Sequence, residues 1–335
     1  MKNLTKLVLV AALAAAGITH AVAAEYQMRI IRFGYGLAED SNQGRAVKFF
    51  ADELAKRSGG KMRAKGFASA SLGNDNQMQN ALIGGAQEMT VVSTATLVGI
   101  EDSFGIYDLP FLFRTEQEAD AVLDGPFGKK LAAKLEAKGL VGLVYWENGF
   151  RNLTNSKHPI AKMEDMQGIK LRVMQNPVYI DMFNGFGANA VPLAFAELFT
   201  ALESRTVDGQ ENPVNTIQSS KFYEVQKYLS ITKHVYSPWI VLASKKWWDG
   251  LNADEKKAIE EAAVASRDFE RKDSRAAGDK ALDVLKQKGM QVTVVSNKEL
   301  DRMQEAARPA VAKFAANGHA ELVKDLQAEI AKVRK

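Results

Sequence analysis

Residues 253–288, ADEKKAIEEAAVASRDFERKDSRAAGDKALDVLKQK, contain no proline. Asn252 and Glu255 stand where a capping box would open a helix. Gly278 is a weak point inside it and Gly289 a stop. At the α-helical rise the stretch would be about 54 Å long. A helix of that length must lie across more than one domain, and 335 residues are enough for two.

The chain ahead of it alternates. Strands are predicted over residues 28–33, 61–67 and 88–93. Ser41-Asn42 caps a helix running to Arg57, with Ala46, Phe49, Phe50 and Leu54 on its buried side, and Gly59-Gly60 stops it. A loop over residues 70–75 leads into a short helix through Leu82, broken at Gly84-Gly85. Strand, helix, strand, helix, strand specifies a parallel α/β sheet. Ligands of such sheets sit beyond the carboxyl ends of the strands. Tyr35, Asp75 and Ser93 fall there. Residues 109–113 form an apolar turn packed between layers. A strand over residues 140–146 is followed by Glu147-Asn148-Gly149-Phe150-Arg151, and a second α/β unit begins near Asn152. Residues 227–244 read as extended chain long enough to pass through both units. A last strand over residues 290–295 and terminal helices close the fold.

The front end is a separate object. Lys2 and Lys6, an apolar segment over residues 7–18 and Ala21-Val22-Ala23 read as a secretory signal peptide covering residues 1–23. The apolar run is well short of the roughly 20 residues that span a bilayer. No cysteine follows it to carry a lipid, and no later segment is apolar enough for direct membrane insertion. Loss of Lys2 and Lys6 leaves 42 basic against 40 acidic residues, which argues against nucleic acid or a membrane surface as partner.

Catalytic chemistry finds little support. The chain has no cysteine, hence no thiol nucleophile, thiolate metal site or disulfide. Its histidines, His20, His158, His234 and His319, have no metal-ligand partner three or four residues away. No phosphate loop, nucleophile elbow or dinucleotide fingerprint is present, and no metal or cofactor is called for. Asp165, Asp181 and Glu197 suit helix starts or solvent better than a catalytic pair. Recognition of a ligand remains.

Residues 168–213 carry that possibility. By strand alternation, Leu171 and Val173 point to the core and Arg172 to water. Asn212 precedes Pro213 as a turn residue would. Phe195 fits a helix core with Leu198 and Phe199, and Asp75 fits a helix cap. The blocks GIKLRVMQNP, PLAFAELFTAL and VDGQENP, in this order and spacing, resemble the DctP family. These are the solute-binding proteins of tripartite ATP-independent periplasmic (TRAP) transporters.

The resemblance implies an α/β periplasmic binding protein fold. Two domains close around a hinge on a central ligand cleft, and a long helix spans both. We divide the chain into residues 24–149 with 239–278, and residues 150–238 with 279–335. The resemblance places a carboxylate-gripping arginine on Arg172, a ligand-contacting asparagine on Asn212 and a covering aromatic on Phe195. It puts a second ligand arginine, found in members that bind acidic sugars, on Arg151, and a site position on Asp75. Ser93, Thr94 and Thr96 stand where sialic-acid binders carry an acid and an arginine, which argues against sialic acid. Ser93 remains a hydroxyl partner. Tyr35 and Trp239 lie at the predicted cleft edge, with packing the alternative for Trp239.

The implied function is periplasmic capture of an organic acid, which is passed to the transporter's membrane subunits for ion-gradient-driven uptake. Asp75 suits a polyol and would repel a second carboxylate. That favours a sugar acid, a hexuronate or aldonate, over a C4-dicarboxylate. A secreted sugar-acid hydrolase or lyase is the alternative of another class.

Overall fold

The computed structural model describes residues 24–334, so the expected signal peptide lies outside the described residues. Ten strands form one continuous sheet system. They are β1 (Arg29–Tyr35), β2 (Met62–Phe67), β3 (Met89–Ser93), β4 (Leu140–Asn155), β5 (Lys170–Val173), β6 (Asn189–Pro192), β7 (Gly209–Pro213), β8 (Tyr228–Ile231), β9 (Tyr236–Ser244) and β10 (Gln291–Val294). The main order is β2-β1-β3-β9-β4-β7-β5-β6, with β8 pairing β4 and β10.

The first half follows the predicted alternation. β1 pairs in parallel with β2 and β3. Helix α1 (Asn42–Arg57) starts where Ser41 accepts the Gly44 N–H and ends with Lys56 and Arg57 in its last turn. Both features suit the unpaired groups and dipole of the helix ends. Helix α2 (Asp75–Gly84) opens on a capping box between Asn74 and Gln77, so Asn74, not Asp75, is the cap. That leaves the Asp75 carboxylate free for another use.

β4 ties the halves together, and here the structure departs from the predicted strand over residues 140–146. The strand continues for 16 residues. Its first part pairs antiparallel with β9, and from Arg151 onward it pairs with β7 and β8. At Glu147-Asn148-Gly149 the strand does not stop but forms a bulge and passes between the halves. Gly149 has φ +111°, a conformation L side chains rarely adopt. The predicted extended stretch 227–244 is two strands, β8 and β9, interrupted over residues 232–235.

The long helix Ala253–Gln287 is continuous for 35 residues behind the predicted Asn252/Glu255 capping box. It packs on α1, where Phe49 stacks on Phe269 with ring centroids 4.4 Å apart. Glu270 accepts the backbone N–H of Glu147 at the β4 bulge at 2.7 Å. One turn further, the Ser274 carbonyl accepts from Asn215 at 2.8 Å. One rigid element therefore touches the first half, the crossing strand and the second half. The apolar cores divide accordingly. One cluster lies on each face of β1, β3 and β9, and two more lie around β5 and around Leu198, Leu202 and Leu229.

Candidate functional site

The chain gathers its polar loop ends around one cleft, whose open space, including its mouth to solvent, is about 590 Å³. Gly36 and Leu37 follow β1, Asn74–Asn76 open α2, and Ser93 ends β3. Asn148 and Arg151 come from the crossing strand, Arg172 and Gln175 from β5 and its end, and Asn212 from β7. Phe195 and Trp239 complete the wall. Most of these positions lie at or just past strand carboxyl ends, where a mixed α/β sheet exposes its ligand-binding edge.

Arg172 is the centre of the electrostatics. It is only 2% exposed. Its Nε donates to the Leu193 carbonyl at 2.9 Å, and its Nη1 is buried with no partner. Burial pulls its pKa down to about 10, against the opposing pull of Glu211. A guanidinium so desolvated keeps its proton at neutral pH and presents unused donors. Its planar fork suits a carboxylate, to which it can make charge-assisted hydrogen bonds.

Arg151 behaves differently. It is fully buried, but Nε and Nη2 both donate to the Glu211 carboxylate, the latter at 2.8 Å to Oε1. Nη2 also reaches the Glu211 carbonyl at 2.6 Å and Asn212 Oδ1 at 3.2 Å. Burial works against the Arg151 charge, but Glu211, together with Tyr179 and Asp108, more than offsets it and the pKa is raised. Glu211 is also buried. Arg151 and His234 outweigh that burial and hold its carboxyl below the usual range. His234 Nε2 lies 3.1 Å from Glu211 Oε2, and burial depresses the imidazole pKa. Only Nη1 of Arg151 is left without a partner. Asn212 is likewise engaged, donating through Nδ2 to Gln210 Oε1 at 2.5 Å.

Asp75 supplies the opposite sign. Its Oδ2 accepts the Ser93 N–H at 3.2 Å. Burial pushes its pKa up to about 6, with the Ser93 bond and the Arg172 charge pulling the other way. The cavity thus has one arginine matched by Glu211, one arginine without a salt bridge, and a carboxylate still ionised at neutral pH. Such an arrangement accepts one carboxylate at Arg172 and a hydroxyl donor at Asp75.

Residues 33–317 match the family described as bacterial extracellular solute-binding protein, family 7, named DctP. The chain belongs to the DctP family. It is therefore similar throughout to the solute-binding proteins of TRAP transporters, which bind their solute and do not transform it. The 2,3-diketo-L-gulonate-binding periplasmic protein YiaO of Escherichia coli K12 is 39% identical over 272 residues, 81% of this chain and 82% of that protein. The sugar acid binding protein DctPAm of Advenella mimigardefordensis, solved in complex with galactonate, is 53% identical with a TM-score of 0.90. That match covers 92% of this chain and 99% of the other. A TRAP periplasmic solute-binding protein of Polaromonas sp. JS666 bound to D-erythronate is 40% identical with a TM-score of 0.86, over 89% and 98%.

In this DctP-family protein seven of the eight predicted site residues line the cavity: Arg172, Arg151, Asn212, Phe195, Asp75, Ser93 and Trp239. Tyr35 does not. It is 2% exposed and packed in the core, where a side chain at Gly66 would meet its ring at 3.3 Å. Strand alternation turns it inward, away from the cleft edge. The alternation rule also fails at Arg172, which is buried instead of solvated. Sequence reasoning passed over Gln43, Asn76, Asn148, Gln175 and Thr216. Gln43 accepts the Leu37 N–H at 3.0 Å, Asn76 donates to Gln175 at 2.9 Å, and Thr216 donates to Asn148 at 3.2 Å. A count of polar residues just past strand ends would have flagged Asn148 and Gln175. Among the described residues no group of three or more His, Asp or Glu side chains is placed to hold a metal, and no helix is long and apolar enough to cross a membrane.

Proposed function

We propose that this protein captures a sugar acid of the aldonate or hexuronate type in the periplasm and presents it to the membrane subunits of a TRAP transporter. The observation that carries this reading is the buried Arg172 guanidinium, with an unpartnered Nη1, facing a cavity whose one lining carboxylate among the described residues is Asp75. The ligand carboxylate would lie at Arg172, with Arg151 Nη1 and Asn212 beside it. Hydroxyls would reach Asp75 and Ser93, and Phe195 and Trp239 would cover the apolar face of the carbon chain. Relatives whose structures hold galactonate and D-erythronate support the class. A C4-dicarboxylate fits less well, because most of Arg151 is committed to Glu211 and Asp75 would repel a second anionic end.

The lobes in this reading are residues 24–149 with 239–278 and residues 150–238 with 279–335. Arg172 belongs to one and Asp75 to the other, so a ligand bridging them favours the closed arrangement. That is population shift, with the ligand's contacts to both lobes supplying the bias. Residues 1–23 would serve as the export signal. A thermal-shift panel of galactonate, galacturonate and succinate tests the class. Sugar acids should raise the melting temperature at stoichiometric concentration without turnover. A larger rise with succinate, or consumption of a sugar acid, would count against it.

A further inference from the structure

The cavity contains one wall position without a side chain, and it lies between the groups that would hold the far end of a sugar acid. Gly36 follows directly on β1 and lines the cavity. Its backbone does not need glycine: it is absent from the positive-φ residues. Nor does packing need it. A Cβ built there would meet Asp75 Oδ1 at 3.7 Å and Phe195 Cδ1 at 3.9 Å, and nothing closer. Both are ordinary van der Waals separations. Contrast Gly34, two residues earlier, where a Cβ would come within 2.6 Å of Met78 and 2.7 Å of Gln87. Gly34 is small because the protein fills the space. The space at Gly36 is left open by the protein, and it opens into the cavity.

We propose that Gly36 is a specificity-determining residue that sets how long a polyol the cleft admits. This deepens the reading of the site as a sugar-acid cleft and rests on it. With the carboxylate anchored at Arg172, the chain of hydroxylated carbons extends toward Asp75. The gap between the Asp75 carboxylate and the Phe195 ring then receives the distal carbons. Asp75 opens α2 and Phe195 opens the helix Phe195–Glu203, so the gap has walls from separate elements of the fold. Adding a methyl at Gly36 puts an atom into that gap without displacing protein atoms. A short sugar acid that stops before the gap is unaffected. A longer one must give up its bond to Asp75 or its seat against Phe195.

Titration calorimetry on Gly36→Ala and Gly36→Val, with six-carbon galactonate and four-carbon D-erythronate as probes, tests the assignment. Overpacking by one or more methyl groups has a cost that corresponds to an affinity loss of about tenfold or more. The expected result is that loss for galactonate, larger for valine than for alanine, with erythronate affinity within about twofold of wild type. Equal losses for both ligands, or no loss for either, would overturn the Gly36 assignment while leaving the sugar-acid reading in place. Failure of Gly36→Ala to fold would also overturn it, since it would contradict the space found for a Cβ at this position. If the wild-type protein bound neither these probes nor galacturonate, the sugar-acid reading itself would fall, and the length filter with it.

Discussion

Replacing Asp75 by asparagine should move the ligand preference of the cleft from sugar acids toward dicarboxylates. The substitution keeps an oxygen for the Ser93 N–H and leaves the Asn74 cap of α2 untouched. What it removes is a charge. With its pKa at about 6, Asp75 is largely ionised at pH 7.5. A second ligand carboxylate about 6 Å away would feel a repulsion of about 3 kcal/mol at an effective dielectric of about 20. Because Asp75 is half-buried, solvent screening brings that to about 1–2 kcal/mol. In the other direction, a sugar-acid hydroxyl donating to a carboxylate exchanges a charge-assisted bond for a neutral one, a loss of about 1 kcal/mol. The two effects add to about 2–3 kcal/mol in the ratio of affinities, or about 30- to 150-fold. Calorimetry with galactonate and succinate on wild type and Asp75→Asn measures that ratio directly. The ligand-free variant should also melt no lower than wild type, since a desolvated charge has gone. A succinate-to-galactonate ratio unchanged within about threefold would refute the assigned role of the carboxylate.

Two further substitutions probe the surrounding electrostatics. Glu211→Gln leaves the fully buried Arg151 without its counter-charge and should destabilise the fold by about 3–5 kcal/mol; urea unfolding with a loss under about 1 kcal/mol would contradict the pairing argument. Glu270→Gln addresses pH. Burial pushes the Glu270 pKa up to about 8, only partly offset by Ser274 and the Glu147 N–H. A raised folded-state pKa means the folded protein holds a proton that the unfolded chain has released. The stability tied to this group is then greatest below about pH 4.5, falls as pH rises toward about 8 and levels off above it. Between about pH 7 and 9 wild type should lose about 1 kcal/mol more stability than the variant. Some slope should survive in the variant, because Asp108 is also buried and raised to about 8. Parallel stability profiles would show that Glu270 does not carry the titration.

The regular elements were legible because local signals agreed with tertiary packing. Ser41 at the head of α1, the Asn252/Glu255 box and the glycine stops all appear where the residue types predict. The site was legible only in part. Alternation assumes one wet face, but β5 lies between β6 and β7 and Arg172 is covered. Only the resemblance of the flanking blocks turned that residue inward. Tyr35 shows the opposite error: an aromatic at a strand end looks available, yet its side chain points to the core. The Arg151–Glu211 pair was not readable at all, because it joins side chains 60 positions apart through the pairing of β4 and β7. The crossing between halves at residues 147–151 was legible, but its form was not: the predicted strand stops at Trp146, whereas β4 runs on through a bulge to Asn155.

The central claim is that Arg172 is held unpaired in the fold in order to meet an anion. Arg172→Met tests it most directly, since methionine retains much of the side-chain volume and none of the charge. Burial lowers the Arg172 pKa from 12.5 to about 10, a penalty of about 3 kcal/mol on its charged form in the ligand-free protein. The account predicts a ligand-free melting temperature equal to or above that of wild type. It also predicts galactonate binding at least about thirtyfold weaker by calorimetry, from the loss of about 2–5 kcal/mol at the carboxylate. Galactonate affinity within twofold of wild type would contradict it.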